Sequence, residues 1–308
     1  NGAKHTVVIG AHHDHLGRGE HGGSLSNEIS QIHNGADDNA SGSAGLIELA
    51  RVLRKGKKGI NSNNYLIAAF SGEEMGLLGS KYLVNHLPFQ LEQTNYMLNM
   101  DMVGMLDSAS KTLVINGIGS SSKWQETIGA LNEQVPGISK VKTTSSGIGS
   151  SDHTSFYLKG VPSVHFFTGQ HPHYHKPTDD VENLNYGGEV RVLNYMLAMV
   201  RHLDGQGKID YQKTKNDDAN KRRSFKVTLG IIPDYIYDGE GLRVDGVKEG
   251  QTGDKAGLKD GDIIVSLAGK SIKDIKDYMS MLSELNKGDL KKMQVRRNGE
   301  IVDLQVQF

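Results

Sequence analysis

NYLIAAFSGEEMGLLGS, residues 64–80, holds an apolar run that stops at Gly72 and two adjacent carboxylates, Glu73 and Glu74. The run reads as a strand buried on both faces. Like charges side by side at a buried strand end repel and lose hydration unless a cation or a shared proton compensates. A metal ion with a proton acceptor beside it is the economical explanation. Working outward, HTVVIG (5–10), NYMLNM (95–100), TLVI (112–115) and VPSVHFF (161–167) are runs of the same kind. Between them, apolar residues at helical spacing mark helices: Ala44, Ile47, Leu49, Val52 and Leu53, then Trp124, Ile128 and Leu131, then Val192, Leu193, Met196, Met199 and Val200. Such alternation predicts an α/β fold, an αβα sandwich with a mostly parallel central sheet. Ligands of such sheets collect at the carboxyl ends of the strands.

Four other strand ends or turns carry the same chemistry. In GAHHDHLG (10–17) a strand gives out into His12 and Asp14. A metal-bound imidazole needs a partner on its other nitrogen, and a carboxylate two residues on can supply it. A solvated polar loop is the plain alternative, and His13 and His15 read as bystanders. GADDNASG (35–42) offers Asp37 and Asp38, while Asn39 and Ser41 could simply cap the helix that follows. LNMDMVG (98–104) sets Asp101 in an apolar frame, which is costly unless the carboxylate is paired or metal-bound. HPHYHKPTDD (171–180) brings His171, His173 and His175, one of which reads as a ligand. The clustering of the 13 His points the same way.

Lys plus Arg number 35 against 36 for Asp plus Glu, so a nucleic-acid partner has no electrostatic footprint. No apolar stretch reaches the length of a membrane span, and nothing at Asn1 looks like a signal peptide. The absence of Cys excludes disulfides, thiol nucleophiles and thiolate metal sites. A length of 308 residues suggests two domains. Residues 1–204 form the first. GQGKIDYQKTKNDDANKRR (205–223) reads as a linker, and 224–308 as a small β-rich module. The module holds FKVTLGI (225–231), GLRVDGV (241–247), DIIVSLAG (262–269), a helical DIKDYMSMLSEL (274–285) and a hairpin signal at Asn298-Gly299.

Taken in order, H-x-D, G-A-D-D-N-A-S-G, S-G-E-E-x-G-L-L-G-S, N-M-D-M-V-G, S-D-H-x-x-F and F-F-T-G-x-H-P-x-Y-H-K-P-x-D resemble the M28 family of zinc aminopeptidases over residues 5–203. The resemblance implies two divalent metal ions per chain, one on His12 and Asp101, the other on Glu74 and His175, with Asp38 bridging and Asp37 given no ligand role. It implies Glu73 as general base, Asp14 as the partner of His12, and a cis peptide between Asp38 and Asn39. Two such ions bring four positive charges; three carboxylates and a bridging hydroxide cancel them, leaving a neutral site. Imidazole with carboxylate suits zinc (Zn2+), with cobalt and manganese open. The implied substrate is a peptide with a free N-terminus, cleaved by the bridging hydroxide with Glu73 moving the proton. A carboxypeptidase or another M28-type hydrolase, and a non-catalytic PDZ-containing binding protein, are the alternatives. A glutaminyl cyclase shares the fold but works with a single zinc.

Side-chain preference is expected to depend on SSGIGSSDH (145–153) and on Phe156, Phe167 and Tyr174, which read as core before pocket. Relatives usually carry earlier strands, so Asn1 is expected to be a truncated or processed start. The exposed sheet edge would then favour pairing with another chain, as in a homodimer. An extracytoplasmic location, periplasmic or secreted, is expected from the resemblance alone. The 224–308 module resembles a PDZ domain of the type attached to bacterial proteases, through V-T-L-G-I-I and D-K-A-G-L-K-D-G-D-I-I-V-S-L-A-G-K-S-I. That implies a C-terminal peptide ligand laid beside the 274–285 helix, its carboxylate held by backbone N–H groups of Leu229, Gly230, Ile231 and Ile232. A lid or structural buttress is the alternative.

Overall fold

A computed structural model of the chain describes residues 3–20, 23–26, 30–55, 60, 62–132, 134–214, 226–234, 237, 239–247 and 250–308. The chain divides into two compact units, one holding the segments Asn1–Gly23, Ser30–Gly169 and His173–Ala219, the other built on Asn220–Phe308.

The first unit runs β1 (His5–His12), α1 (Gly42–Arg54), β2 (Asn63–Phe70), α2 (Leu78–Asn85), β3 (Thr94–Met100), β4 (Thr112–Asn116), α3 (Ser122–Asn132), β5 (Lys140–Thr144), α4 (His153–Tyr157), β6 (Ser163–Phe167) and α5 (Tyr186–Leu203). The sheet order is β2-β1-β3-β6-β4-β5. Every pairing is parallel except that of β4 with β6. Side chains alternate across a strand, so β1 feeds both faces. Val7, Ile9 and Ala11 pack with Leu46 and Leu49 of α1, Trp124 of α3 and Met196 of α5. Val8 packs with Phe70, Met97, Val84 of α2 and Phe156 of α4. Helices therefore cover both sides, as the αβα expectation required. Each fully buried aliphatic side chain here contributes roughly 1.5–3 kcal/mol. Gly10 is required by this packing, since a Cβ there would run into the Phe70 ring.

Two sequence expectations change. The expectation of burial on both faces fails for β2, which lies at one edge of the sheet with several of its residues partly or fully exposed. The linker expected from Gly205 starts later, because its first residues pack against the first unit. Ile209 is buried in the main core, and its N–H donates to Asn95 Oδ1 at 2.9 Å. Asn95 Nδ2 in turn donates to Gly207 O at 2.9 Å. Asp210 Oδ1 accepts from the Ser121 and Ser122 hydroxyls at 2.8 and 2.7 Å, and Thr214 N–H donates to Tyr157 Oη at 2.8 Å. One apolar residue supported by a row of hydrogen bonds docks a stretch whose composition is polar. The remaining linker expectation, 215–223, lies outside the described residues.

The second unit contains β7 (Ile231–Pro233), β8 (Leu242–Val247), α6 (Thr252–Lys255), β9 (Ile263–Leu267), β10 (Lys270–Ser271), α7 (Ile275–Glu284), β11 (Leu290–Arg297) and β12 (Glu300–Gln307). The order is β12-β11-β9-β8-β7, with β10 beside β9. β11 and β12 pair from Arg297↔Glu300 onward, closed by Asn298 and Gly299 at φ 51° and 88°. This is the two-residue turn that Asn-Gly predicts. Its core joins Leu229, Val244, Ile264, Leu267, Tyr278 and Met293. Buried Asp262 accepts two hydrogen bonds from Arg297, each 2.7 Å.

Candidate metal centre

β2, β1, β3 and β6 lie side by side and parallel, so their carboxyl ends share one edge of the sheet. His12 ends β1, Glu73 and Glu74 follow β2, Asp101 follows β3, and His175 lies in the segment after β6. Asp38 joins them from the turn before α1. That turn is built by its own side chains. Asp37 Oδ1 accepts Gly104 N–H at 2.7 Å, Asn39 Nδ2 donates to Met100 O at 3.0 Å, and Ser41 Oγ accepts Val103 N–H at 3.1 Å. Asn39 Oδ1 also accepts Gly42 N–H, the first of α1, at 3.0 Å. Asp37 is thus spent on tying the 100–104 segment to the turn, and Asp38, across a cis peptide from Asn39, faces the site.

The side chains form two groups that share Asp38. His12 Nε2 lies 3.4 Å from Asp38 Oδ1 and 3.3 Å from Asp101 Oδ1. His175 Nε2 lies 3.2 Å from Asp38 Oδ2 and 3.3 Å from Glu74 Oε2. The two oxygens of one carboxylate thus serve opposite sides. Two ligand atoms on a tetrahedral ion with bonds of about 2.0 Å sit about 3.3 Å apart, so both groups have the spacing that an ion needs. The chemistry fits too: among the described residues these carboxylates have imidazole partners and no Lys or Arg ion pair. Met102 and His175, with φ 55° and 54°, hold left-handed backbone at the edges of the site, a conformation uncommon outside Gly.

Electrostatics divides the two adjacent Glu. Burial raises the carboxyls of Asp38, Glu74 and Asp101, but the facing imidazoles outweigh it and hold all three below the usual range. Burial likewise pulls His12 and His175 down, and the carboxylates overcome it: His12 is held well above the usual imidazole value, and His175 is pushed up to about 10. Glu73 differs. Burial first, then the charge of Asp101, pushes its carboxyl up to about 10.

Several placements were not legible in the sequence. The partner of His12 Nδ1 is the backbone carbonyl of Asp14, 3.0 Å away, while the expected carboxylate is 3.8 Å off. The Asp14 carboxylate instead accepts Glu73 N–H at 3.2 Å, anchoring the chain that carries the proposed base. His175 Nδ1 donates to Gly23 O at 2.8 Å, and Tyr174 stacks on the His175 ring at 3.8 Å, while Phe156 belongs to the core. Asp179, fully buried, accepts the N–H groups of Asp37 and Asp38 at 3.0–3.1 Å. Only its place in the TDD triplet hinted at it. His15, set aside as a bystander, lies 2.9 Å from Glu74. His13 is exposed, and His173 bonds Thr178 Oγ1 at 3.0 Å.

Fold and site define the class: an α/β sandwich with a two-part candidate metal centre at its strand ends. The chain belongs to peptidase family M28, whose model matches residues 1–200, and the PDZ domain model matches 209–308. It is 33% identical over 159 residues to aminopeptidase YwaD of Bacillus subtilis, covering 49% of this chain and 34% of that protein. To a probable leucine aminopeptidase of Arthroderma benhamiae it is 28% identical over 192 residues, covering 60% and 48%. Among solved structures, a zinc aminopeptidase from Bacillus subtilis matches with a TM-score of 0.54 at 27% identity, over 69% of this chain and 47% of that one. The chain thus spans about a third to a half of these curated relatives.

Proposed function

We propose that the chain is a zinc-dependent aminopeptidase that binds two ions, His12 and Asp101 holding one, Glu74 and His175 the other, and Asp38 both. The observation that carries this reading is the division of Asp38 between two groups of ligand spacing, Oδ1 toward His12 and Oδ2 toward His175. The names of the B. subtilis and fungal relatives support peptide release from the N-terminus, and that of the solved structure supports zinc. Bound ions would polarise the scissile carbonyl and acidify the attacking water. Glu73 takes that water's proton and returns it to the leaving amine. Its raised carboxyl belongs to the metal-free arrangement, and cations held beside Asp101 would draw it down into the ionised form that a base needs. Asp14, by holding Glu73 N–H, fixes where that carboxylate starts.

In the second unit, β7 is an outer strand of its sheet among the described residues, and in the PDZ mode of recognition a peptide would add to such an edge as a further strand. Leu229 is buried in the core, and Gly230 N–H already donates to Thr228 Oγ1 at 3.0 Å. A peptide carboxylate must displace that hydroxyl to reach the amide.

The decisive measurement is hydrolysis of amino-acyl anilides by the zinc-loaded chain, with and without chelator, against N-acetylated counterparts. Cleavage is expected only of the free-amine substrates and only with metal. No cleavage by the loaded protein would leave the non-catalytic alternative standing, and equal cleavage of the blocked substrates would remove the exopeptidase assignment.

A further inference from the structure

Beside the two groups stands an imidazole that the two-ion reading does not use. His15 lies in the segment after β1 with its side chain 9% exposed, and its Nδ1 is 2.9 Å from Glu74 Oε1 and 3.8 Å from Asp38 Oδ2. These three residues bring their ligand atoms within 4.8 Å of one another. The ring is fixed by what surrounds it. It meets the His175 ring edge-on at 5.8 Å and lies tilted beside His33 at 6.3 Å. It also fills the place of an absent side chain: a Cβ on Gly35 would fall 2.7 Å from its Cγ. Gly35 has φ 63°, a backbone conformation that disfavours other residues there as well.

The distances separate a ligand from a partner of a ligand. His175 Nε2 keeps 3.2 and 3.3 Å to Asp38 Oδ2 and Glu74 Oε2, the separation of atoms sharing an ion. His15 Nδ1 matches neither value: 2.9 Å is a hydrogen-bond length, and 3.8 Å to Asp38 is too long. It also approaches Oε1, whereas the ion-pair distance of His175 is to Oε2. The carboxylate is therefore divided, one oxygen to each imidazole.

We infer that His15 is a positioning residue of the metal centre: its Nδ1–H donates to Glu74 Oε1 and turns Oε2 toward the ion that Glu74 shares with His175 and Asp38. The inference rests on the two-ion reading above. A carboxylate with one oxygen held in this way cannot rotate to present the other edge, so it meets the ion already oriented. Loss of such a partner typically costs 10–100-fold in metal affinity. Asparagine places an amide N–H close to where imidazole Nδ1 stands, so it keeps the hydrogen bond without the ring.

The test uses the full chain and reads zinc affinity and stoichiometry by chelator competition, with the visible spectrum of the cobalt-substituted protein as a second readout. His15→Ala is expected to weaken one of the two ions by about 10–100-fold and to leave the other within about twofold. His15→Asn is expected to restore the parent affinity to within about threefold, with the parent's cobalt spectrum. Two results overturn the inference: His15→Ala holding both ions as tightly as the parent, or His15→Asn as weak as His15→Ala, which would mean that the hydrogen bond to Glu74 is not what the metal centre needs from His15. A parent chain that binds fewer than two ions would sink the two-ion reading and this inference with it, and the parent measurement alone tells that case apart.

Discussion

Glu73 and Glu74 are neighbours in sequence, yet the fold gives them opposite surroundings. Glu74 meets two imidazoles and is held below the usual carboxyl range, whereas Glu73 meets burial and Asp101 and is pushed up to about 10. Carboxyls driven apart in this way mark an acid–base pair of roles. Glu73→Gln keeps shape and volume and removes only the proton acceptor. Both ions are expected to stay, while kcat falls by about 10²–10⁴ and KM changes little; zinc analysis beside anilide kinetics reads this, and retained turnover would take Glu73 out of the mechanism. Asp179→Ala tests the frame instead. It strands the N–H groups of Asp37 and Asp38, each costing about 1–3 kcal/mol when buried unpaired. Because Asp38 belongs to both groups, both ions should weaken together, which chelator competition would detect. At this scale the sequence showed which strand ends carry charge but not which atoms face each other. His15 and His13 look alike in GAHHDHLG, and the partner that separates them, Glu74, is brought close only by the pairing of β1 with β2.

Elements were legible where periodicity was strong. β1, β3, β4 and β6 and helices α1, α3 and α5 follow from apolar runs or helical spacing, because each faces a large core. β5, KVKTT, gives no apolar signal because it is an outer strand with no fully buried residue, and α4 is a five-residue helix too short to show a period. The segment 206–214 reads as linker for a different reason: Ile209 is its single buried apolar anchor, and the hydrogen bonds that hold it come from Asn95, Ser121, Ser122 and Tyr157, far away in sequence. That makes Ile209 the test of the docking. Ile209→Ala in the full chain is expected to cost about 2–5 kcal/mol in denaturant unfolding. A change under about 0.5 kcal/mol, as at an exposed linker position, would show that the segment is not part of the folded unit.

At the scale of the whole molecule, the metal centre couples folding to protons. In the metal-free chain His12 and His175 are held above their unfolded value, so their ion pairs stabilise fully below about pH 6.5, and for His175 that contribution is lost as pH rises through about 10. At pH 7 both rings therefore carry a proton that zinc must displace. Asp38, Glu74 and Asp101 are held low and already ionised, so they release none. Glu73, pushed up to about 10, is protonated at pH 7 without metal and must give up that proton if it serves as base. Loading the parent chain should then release about three protons, one each from His12, His175 and Glu73, and one more where a bridging water ionises to hydroxide, and zinc affinity should rise steeply between pH 6 and 8. Zinc at a hundredfold excess over its dissociation constant adds about 2.7 kcal/mol per ion, so the thermal midpoint should rise with zinc, and by more at pH 8 than at pH 6. Calorimetry in two buffers of different ionisation enthalpy counts the protons directly. Glu73→Gln, which carries no such proton, should release about one fewer than the parent while binding the same number of ions. An equal count in the two proteins would mean that Glu73 stays protonated beside bound zinc, and a carboxylic acid in that state cannot accept a proton from water.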